Sequence, residues 1–235
     1  VWADEFDSDG LPDPGRWNYE EGLIRNQEAQ YYTRARAENA RVEDGVLVIE
    51  ARREPYKGAE YTSASLTTRD RVDWLYGRVE VRAKLPRGRG VWPAIWMLGS
   101  NIDEVGWPAC GEIDIMEYVG FDPDRVHGNV HTEAFNHVLG TNLGAGIDLS
   151  APHEDFHIYA VEWFPDRIDF FVDDEKYFTF ENSGGGNAEW PFDKPHFLII
   201  NLAIGGAWGG QQGIDDAIFP QQYAIDYVRV YEVAG

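Results

Sequence analysis

The sequence predicts an all-β protein, an antiparallel sandwich or barrel in one domain, and three observations carry that prediction. Apolar residues recur with a period of two, turn-forming clusters interrupt them at short intervals, and no amphipathic stretch of ten or more residues carries helix caps. In chain order, Asp9-Gly10 and Asp44-Gly45 are the first turn signals, and Val46–Ala51 is the first alternating run. Arg78-Val79-Glu80-Val81-Arg82-Ala83-Lys84-Leu85 alternates without a break, the pattern of a strand with one wet face, and Pro86–Gly90 stops it. Ile158–Phe164 and Ile168–Asp173 flank the turn Phe164-Pro165-Asp166. Asp173-Asp174 then leads into Tyr177–Phe180, and Ser183–Asn187 follows as a loop. His196–Ala203 is almost continuously apolar and ends at Gly205-Gly206, which marks a strand buried on both faces. Tyr223–Val233 restores the alternation. No linker, repeat or low-complexity segment divides the chain, so residues 1–235 read as one domain.

Composition narrows the function. The 235 residues are enough for one large β core. With 41 acidic and 20 basic side chains the net charge is −21, which repels nucleic acid and anionic membranes and excludes both as partners. No window approaches 18 uninterrupted apolar residues, so no membrane-spanning helix is expected. The single cysteine, Cys110, excludes an intramolecular disulfide and any multi-cysteine metal site. Nothing at Val1–Gly10 resembles a signal peptide, so a secreted protein of this sequence would be the mature form. Nine Trp and twelve Tyr exceed the needs of a core this size, and several stand in loops beside Gly and Pro.

Trp107–Gly120 is the most unusual segment: Glu112, Asp114 and Glu117 alternate with Ile and Met inside an apolar run. A helix would set Glu112 and Asp114 about 200° apart. A strand puts those two on one face and Glu117 on the other, and one extra residue near Ile115-Met116, a β-bulge, returns Glu117 to the shared face. Three carboxyl groups on one face repel one another, so one keeps its proton near neutral pH. A retaining glycosidase needs that pairing: an ionised carboxylate to attack the anomeric carbon and a protonated one to release the leaving oxygen, about 5–5.5 Å apart. The plainer alternatives are an exposed acidic strand face or a calcium site.

Gly111-Glu112-Ile113-Asp114-Ile115-Met116-Glu117 resembles the Glu-x-Asp-x-x-Glu signature of glycoside hydrolase family 16, in its bacterial laminarinase (endo-1,3-β-glucanase) branch. Gln30-Tyr31-Tyr32-Thr33, Tyr76-Gly77-Arg78, Trp92-Pro93-Ala94-Ile95-Trp96-Met97-Leu98 and Asn201–Gly206 resemble other segments of that family, in the expected order. The resemblance implies a concanavalin A-like jelly-roll sandwich of two curved antiparallel sheets with a concave substrate cleft. It implies Glu112 as nucleophile, Glu117 as acid/base and Asp114 between them, tuning both. The implied partner is a polysaccharide, β-1,3-glucan and in part mixed β-1,3-1,4-glucan, cut by a secreted monomer that needs no cofactor for catalysis.

Sugars present apolar C–H faces, so the cleft needs aromatic platforms. Trp92 and Trp96, four apart, share a strand face; Trp208 stands in the glycine-rich Gly205–Gly210 loop, and Trp107 is a further wall residue. That loop lacks the Lys-Ser/Thr ending of a phosphate loop, so nucleotide binding is rejected. His127 and His131 share a strand face; the resemblance favours His131 as the cleft residue, hydrogen-bonding near Glu117. It also implies Asn26, Arg71 and Asn201 as sugar contacts, while Ser65 stands where many relatives carry Arg. A structural calcium far from the cleft is implied at Glu5, the backbone of Gly45, and Asp226, hard oxygen ligands suited to that ion.

Two rival readings remain. His153-Glu154-Asp155-Phe156-His157 fits a zinc-protease pattern, but Pro152 before it and a strand from Ile158 leave room for barely one helical turn. A lectin-like sandwich that binds glucan without cutting it has no need of Glu112 and Glu117.

Overall fold

Chain order in the computed structural model, which describes residues 2–232, is a succession of short strands. They are β1 (Trp2–Asp4), β2 (Asn18–Glu20), β3 (Gln30–Tyr32), β4 (Ala40–Glu43), β5 (Val46–Tyr56), β6 (Ala59–Ser63) and β7 (Ser65–Thr67). There follow β8 (Gly77–Lys84), β9 (Val91–Gly99), β10 (Glu112–Glu117), β11 (Arg125–His131) and β12 (Leu143–Asp148). The last five are β13 (His157–Trp163), β14 (Arg167–Val172), β15 (Glu175–Glu181), β16 (His196–Ile204) and β17 (Gln221–Tyr231). A single α-helical turn, α1 (Ile102–Val105), and a short 3-10 turn at Asp216–Ile218 complete the described elements. Every expected strand is present, within a few residues at each end. The expected run Tyr223–Val233 is β17, and its Val233 lies outside the described residues, as do Val1 and the last two positions of the expected 1–235 domain.

The strands form two sheets. One has ten strands, in the order β15-β14-β13-β8-β17-β5-β6-β3, with β1 added to β17 and β4 to β5. The other has seven, in the order β12-β11-β10-β9-β16-β7-β2. Pairing is antiparallel except between β3 and β6. The alternation seen in the sequence is the core: Val79, Val81 and Ala83 of β8, Tyr159, Val161 and Trp163 of β13, and Ile168 and Phe170 of β14 are fully buried. They pack with the inward residues of the second sheet, among them Ile95, Met97, Ile113, Leu198 and Ile200. This is the jelly-roll sandwich. His196–Ile204 is buried along its whole length because its other face meets a second apolar cluster of Ala94, Trp96, Leu98, Cys110, Phe197 and Ile199. Cys110 is thus a packing residue, fully buried as a free thiol.

Local chemistry fixes two of the junctions. Asp44 and Gly45 both take positive φ (53° and 76°), the two-residue turn that joins β4 to β5 without splaying them. On β17 the inward set runs Tyr223, Ile225, Val228, Val230, and the change of parity at Asp226 is a bulge in the ladder to β8.

Candidate active site

β10 carries the site because one residue too many sits in it. Ile113, Ile115, Met116 and Tyr118 all face the core, so Ile115 and Met116 point inward in succession. The ladder to β9 slips between Asp114 and Met116, and the ladder to β11 between Asp114 and Glu117. That bulge returns Glu117 to the outer face, and Glu112, Asp114 and Glu117 all line one cleft of about 930 Å³. The outward residues of β9 (Trp92, Ala94, Trp96, Leu98), β11 (His127, Asn129, His131) and β16 (Asn201, Ala203) form the rest of its floor.

Each glutamate is held by an indole. Trp107 Nε1 donates to Glu112 Oε2 at 2.6 Å, and Trp92 Nε1 donates to Glu117 Oε1 at 3.1 Å. Beside Glu112, Trp107 packs on His137 with ring centroids 5.2 Å apart, and His137 meets His131 at 5.0 Å. Beside Glu117, Trp208 stands edge-on to both Trp92 (5.9 Å) and His127 (5.1 Å). The two ends of the carboxylate trio therefore have separate aromatic walls.

Burial and mutual repulsion set the protonation. Burial first, and the neighbouring Asp114 charge second, push Glu112 up to about 8. Glu117 is pushed up to about 7 by burial and then by Glu112. Burial and the Glu117 charge hold Asp114 far above the usual carboxylate range. The three groups together keep protons through neutral pH, which supplies an acid and a base in one cluster.

Most residues singled out in the sequence meet in this cleft, with differences. Trp96 is 8% exposed, donates Nε1 to Asn201 at 2.8 Å and lies under the Arg25 guanidinium, 4.8 Å from its ring centroid. It offers little free face. Asn201 commits the other end of its amide to Tyr32 Oη at 2.9 Å, so it fixes Trp96 in place. Asn26 is exposed at the cleft mouth with φ 53°, near Glu28. Arg71 is a correction: the turn after β7 carries it out of the cleft, where its Nε donates to the Pro14 carbonyl at 2.7 Å. His131 is a second correction. The antiparallel register sets it opposite Glu112 and sets His127 opposite Glu117, so His131 Nε2 lies 3.3 Å from Asp114 and 3.7 Å from Glu112.

Arg25, Glu28, Asn129 and His137 were not singled out. Asn129 was legible as the middle of the period-two set His127, Asn129, His131. Arg25 takes up Ser65, donating to its Oγ at 3.2 Å, and pairs with Glu20 behind it. Glu28 carried no pattern of its own; burial raises its carboxyl although Arg25 opposes this. His137 arrives on the loop after β11, which no local pattern announces.

Outside the cleft, residues 152–155 form turns and His157 opens β13 bound to Asp173 at 2.8 Å, so the zinc-protease motif has no helix to stand on. The β1/β17 ladder pairs Asp4 with Val228 and the β5/β17 ladder pairs Leu47 with Ile225, so Glu5, Gly45 and Asp226 fall where β5 hands the edge of β17 to β1. There the Glu5 carboxylate is bound twice by Arg229 at 2.8 Å, and Asp226 by Arg82 at 2.5 Å. No helix among the described residues is long and apolar enough to cross a membrane.

A two-sheet sandwich with an aromatic-walled cleft on one face, and on its floor a buried aspartate between two partly buried glutamates, defines a polysaccharide-cleaving glycoside hydrolase. Residues 27–229 match the model described as glycosyl hydrolases family 16, and the chain belongs to that family. It is 58% identical to a β-glucanase from Rhodothermus marinus, over 98% of this chain and 84% of that one. Its fold superposes with a TM-score of 0.97 on a laminarinase from Rhodothermus marinus, at 56% identity and covering 100% of this chain and 97% of that one. A second solved relative, SCLam, a non-specific endo-β-1,3(4)-glucanase, matches with a TM-score of 0.96 and 49% identity. The match covers 99% of this chain and 94% of that one, which is a Glu-to-Ser variant co-crystallised with a glucan oligosaccharide.

Proposed function

We propose that the chain is a retaining endo-β-1,3-glucanase acting on neutral β-1,3-glucan such as laminarin, with mixed β-1,3-1,4-glucans as further substrates. The observation that carries this is the bulged β10, which lays Glu112, Asp114 and Glu117 along one cleft floor with an indole N–H on each glutamate. The trio titrates as one unit, and although burial holds the Glu112 proton to a higher pH than that of Glu117 in the free cleft, the reactive form is the one with the shared proton on Glu117. In that form Glu117 donates to the glycosidic oxygen while the Glu112 carboxylate attacks the anomeric carbon, giving a glycosyl ester and a free chain end. Glu117, now ionised, takes a proton from water, which attacks the same carbon and releases Glu112. Asp114 shares the charge and keeps Glu112 oriented. Trp92, Trp107 and Trp208 supply faces for sugar rings, and Asn26 and Glu28 supply polar contacts.

A neutral substrate suits the cleft. Among the described residues, Arg25 is its one Lys or Arg lining residue and is already paired with Glu20, so nothing there recruits sulfate or carboxylate. Secretion and a monomeric state complete the reading. We also propose a structural calcium at Glu5, Gly45 and Asp226; with the Glu5 carboxylate taken by Arg229 and Asp226 Oδ2 by Arg82, the second Asp226 oxygen and main-chain oxygens are its natural ligands. Calcium added to stripped protein then raises Tm without altering kcat, and an unchanged Tm removes the site. The reaction itself is tested by reducing-sugar release from laminarin. Wild type releases it, while Glu112→Gln and Glu117→Gln each lose at least about a thousandfold in kcat/KM. Normal hydrolysis by both variants overturns the mechanism.

A further inference from the structure

We propose that Glu112, Asp114 and His131 form a binding site for a transition-metal dication of the zinc class, and that its occupation switches the cleft off. One atom from each residue lies within 4.8 Å of the other two. His131 Nε2 is 3.3 Å from Asp114 Oδ2 and 3.7 Å from Glu112 Oε1. Zinc–nitrogen and zinc–oxygen bonds are about 2.0–2.2 Å long, so two ligands on a tetrahedral ion stand about 3.4 Å apart. The two spacings from His131 Nε2 match that edge. A calcium ion asks for six to eight oxygens, and an imidazole is no ligand for it.

The site is built rather than a chance gathering of acids. Asp114 and His131 are 3% and 4% exposed, and Asp114 Oδ2 points at the imidazole with no hydrogen-bond partner. The β10/β11 ladder pairs Glu112 directly with His131, and Asp114 follows two residues along on the same face, so the backbone fixes all three donors. Asn129 Nδ2 lies 3.2 Å from His131 Nε2, and its amide turns aside when a cation takes that nitrogen. No Lys or Arg among the described lining residues neutralises the acids, because Arg25 is held by Glu20. Three protein ligands leave the fourth position of the ion open to the cleft. A metal so placed occupies Glu112 Oε1 and ties up the carboxylate that the displacement needs. Its inhibitory consequence rests on the glucanase reading, while occupancy does not.

Calorimetric titration with Zn2+, and the visible absorption of Co2+ as a tetrahedral reporter, test occupancy directly. Wild type takes up one equivalent, and Zn2+ abolishes laminarin hydrolysis until a chelator restores it. Glu117→Gln, which keeps all three donors, binds Zn2+ like wild type. His131→Ala and Glu112→Gln each weaken binding tenfold or more. Binding unchanged in both of these variants, binding lost instead in a His153→Ala/His157→Ala double variant, or no uptake by wild type overturns the site. Wild type that binds Zn2+ yet never hydrolyses laminarin sinks the glucanase reading and leaves the metal site standing.

Discussion

A carboxyl group on an apolar floor holds its proton because the charged form loses its hydration, and a second carboxylate beside it adds repulsion. Glu117 shows both effects, and the consequence for stability has a definite sign. Its folded pKa, about 7, lies above the ordinary 4.5, so between those values the native chain binds more protons than the unfolded one. Stability is therefore lost as pH rises through that window, and the whole cost is present above about pH 7. Glu117→Gln removes a cost of at most about 3 kcal/mol. Its Tm should match wild type near pH 4 and exceed it near pH 8, by thermal unfolding at the two pH values. Equal Tm at both would show that Glu117 ionises without penalty. The same burial that destabilises the fold is what keeps an acid available at neutral pH, a trade that active sites make routinely.

At the scale of elements, β10 is positioned by its neighbours as much as by its own sequence. The end of β9 lies against the two residues before β10 so closely that a Cβ on Gly99 would stand 2.1 Å from the Cys110 carbonyl oxygen, and Gly99 N donates to Gly111 O at 3.1 Å. Gly99→Ala must push these segments apart, at about 2–3 kcal/mol, or about 5–10 °C in Tm, with a matching loss of kcat as Glu112 shifts. A wild-type Tm in differential scanning calorimetry would contradict the packing described here. The long alternating strands were legible in the sequence because one wet and one dry face leave a period of two. The bulge was legible too, since only one extra residue reconciles the spacing of three acids with one face. β1–β4, β6, β7 and β12 were not, being three to six residues long, and Pro55 concealed that β5 continues to Tyr56. The partner of His131 was missed because it depends on which residue of β11 meets which residue of β10, a register that neither strand records alone. Arg71 failed for a similar reason: its side chain is placed by the turn after β7, not by its nearness in sequence to cleft residues.

Over the whole molecule, 41 acidic side chains against 20 basic ones leave a net charge of −21. Many acids are paired with arginine, as in Arg36 with Glu54, Arg41 with Glu43 and Glu50, and Arg78 with Glu80 and Glu162. On the proposed reading the cleft holds its substrate by aromatic faces and hydrogen bonds, and the Glu112, Asp114 and Glu117 trio, which burial keeps largely protonated, does the chemistry. That trio makes a single claim that can be read out covalently. A β-1,3-glucosyl donor carrying fluorine at C2 slows breakdown of the glycosyl ester, and mass spectrometry of the trapped protein locates it. The expected result is one glycosyl unit per chain, on Glu112. A label on Glu117 or elsewhere, or active protein that never acquires a label and releases the α-anomer first, would contradict the double displacement.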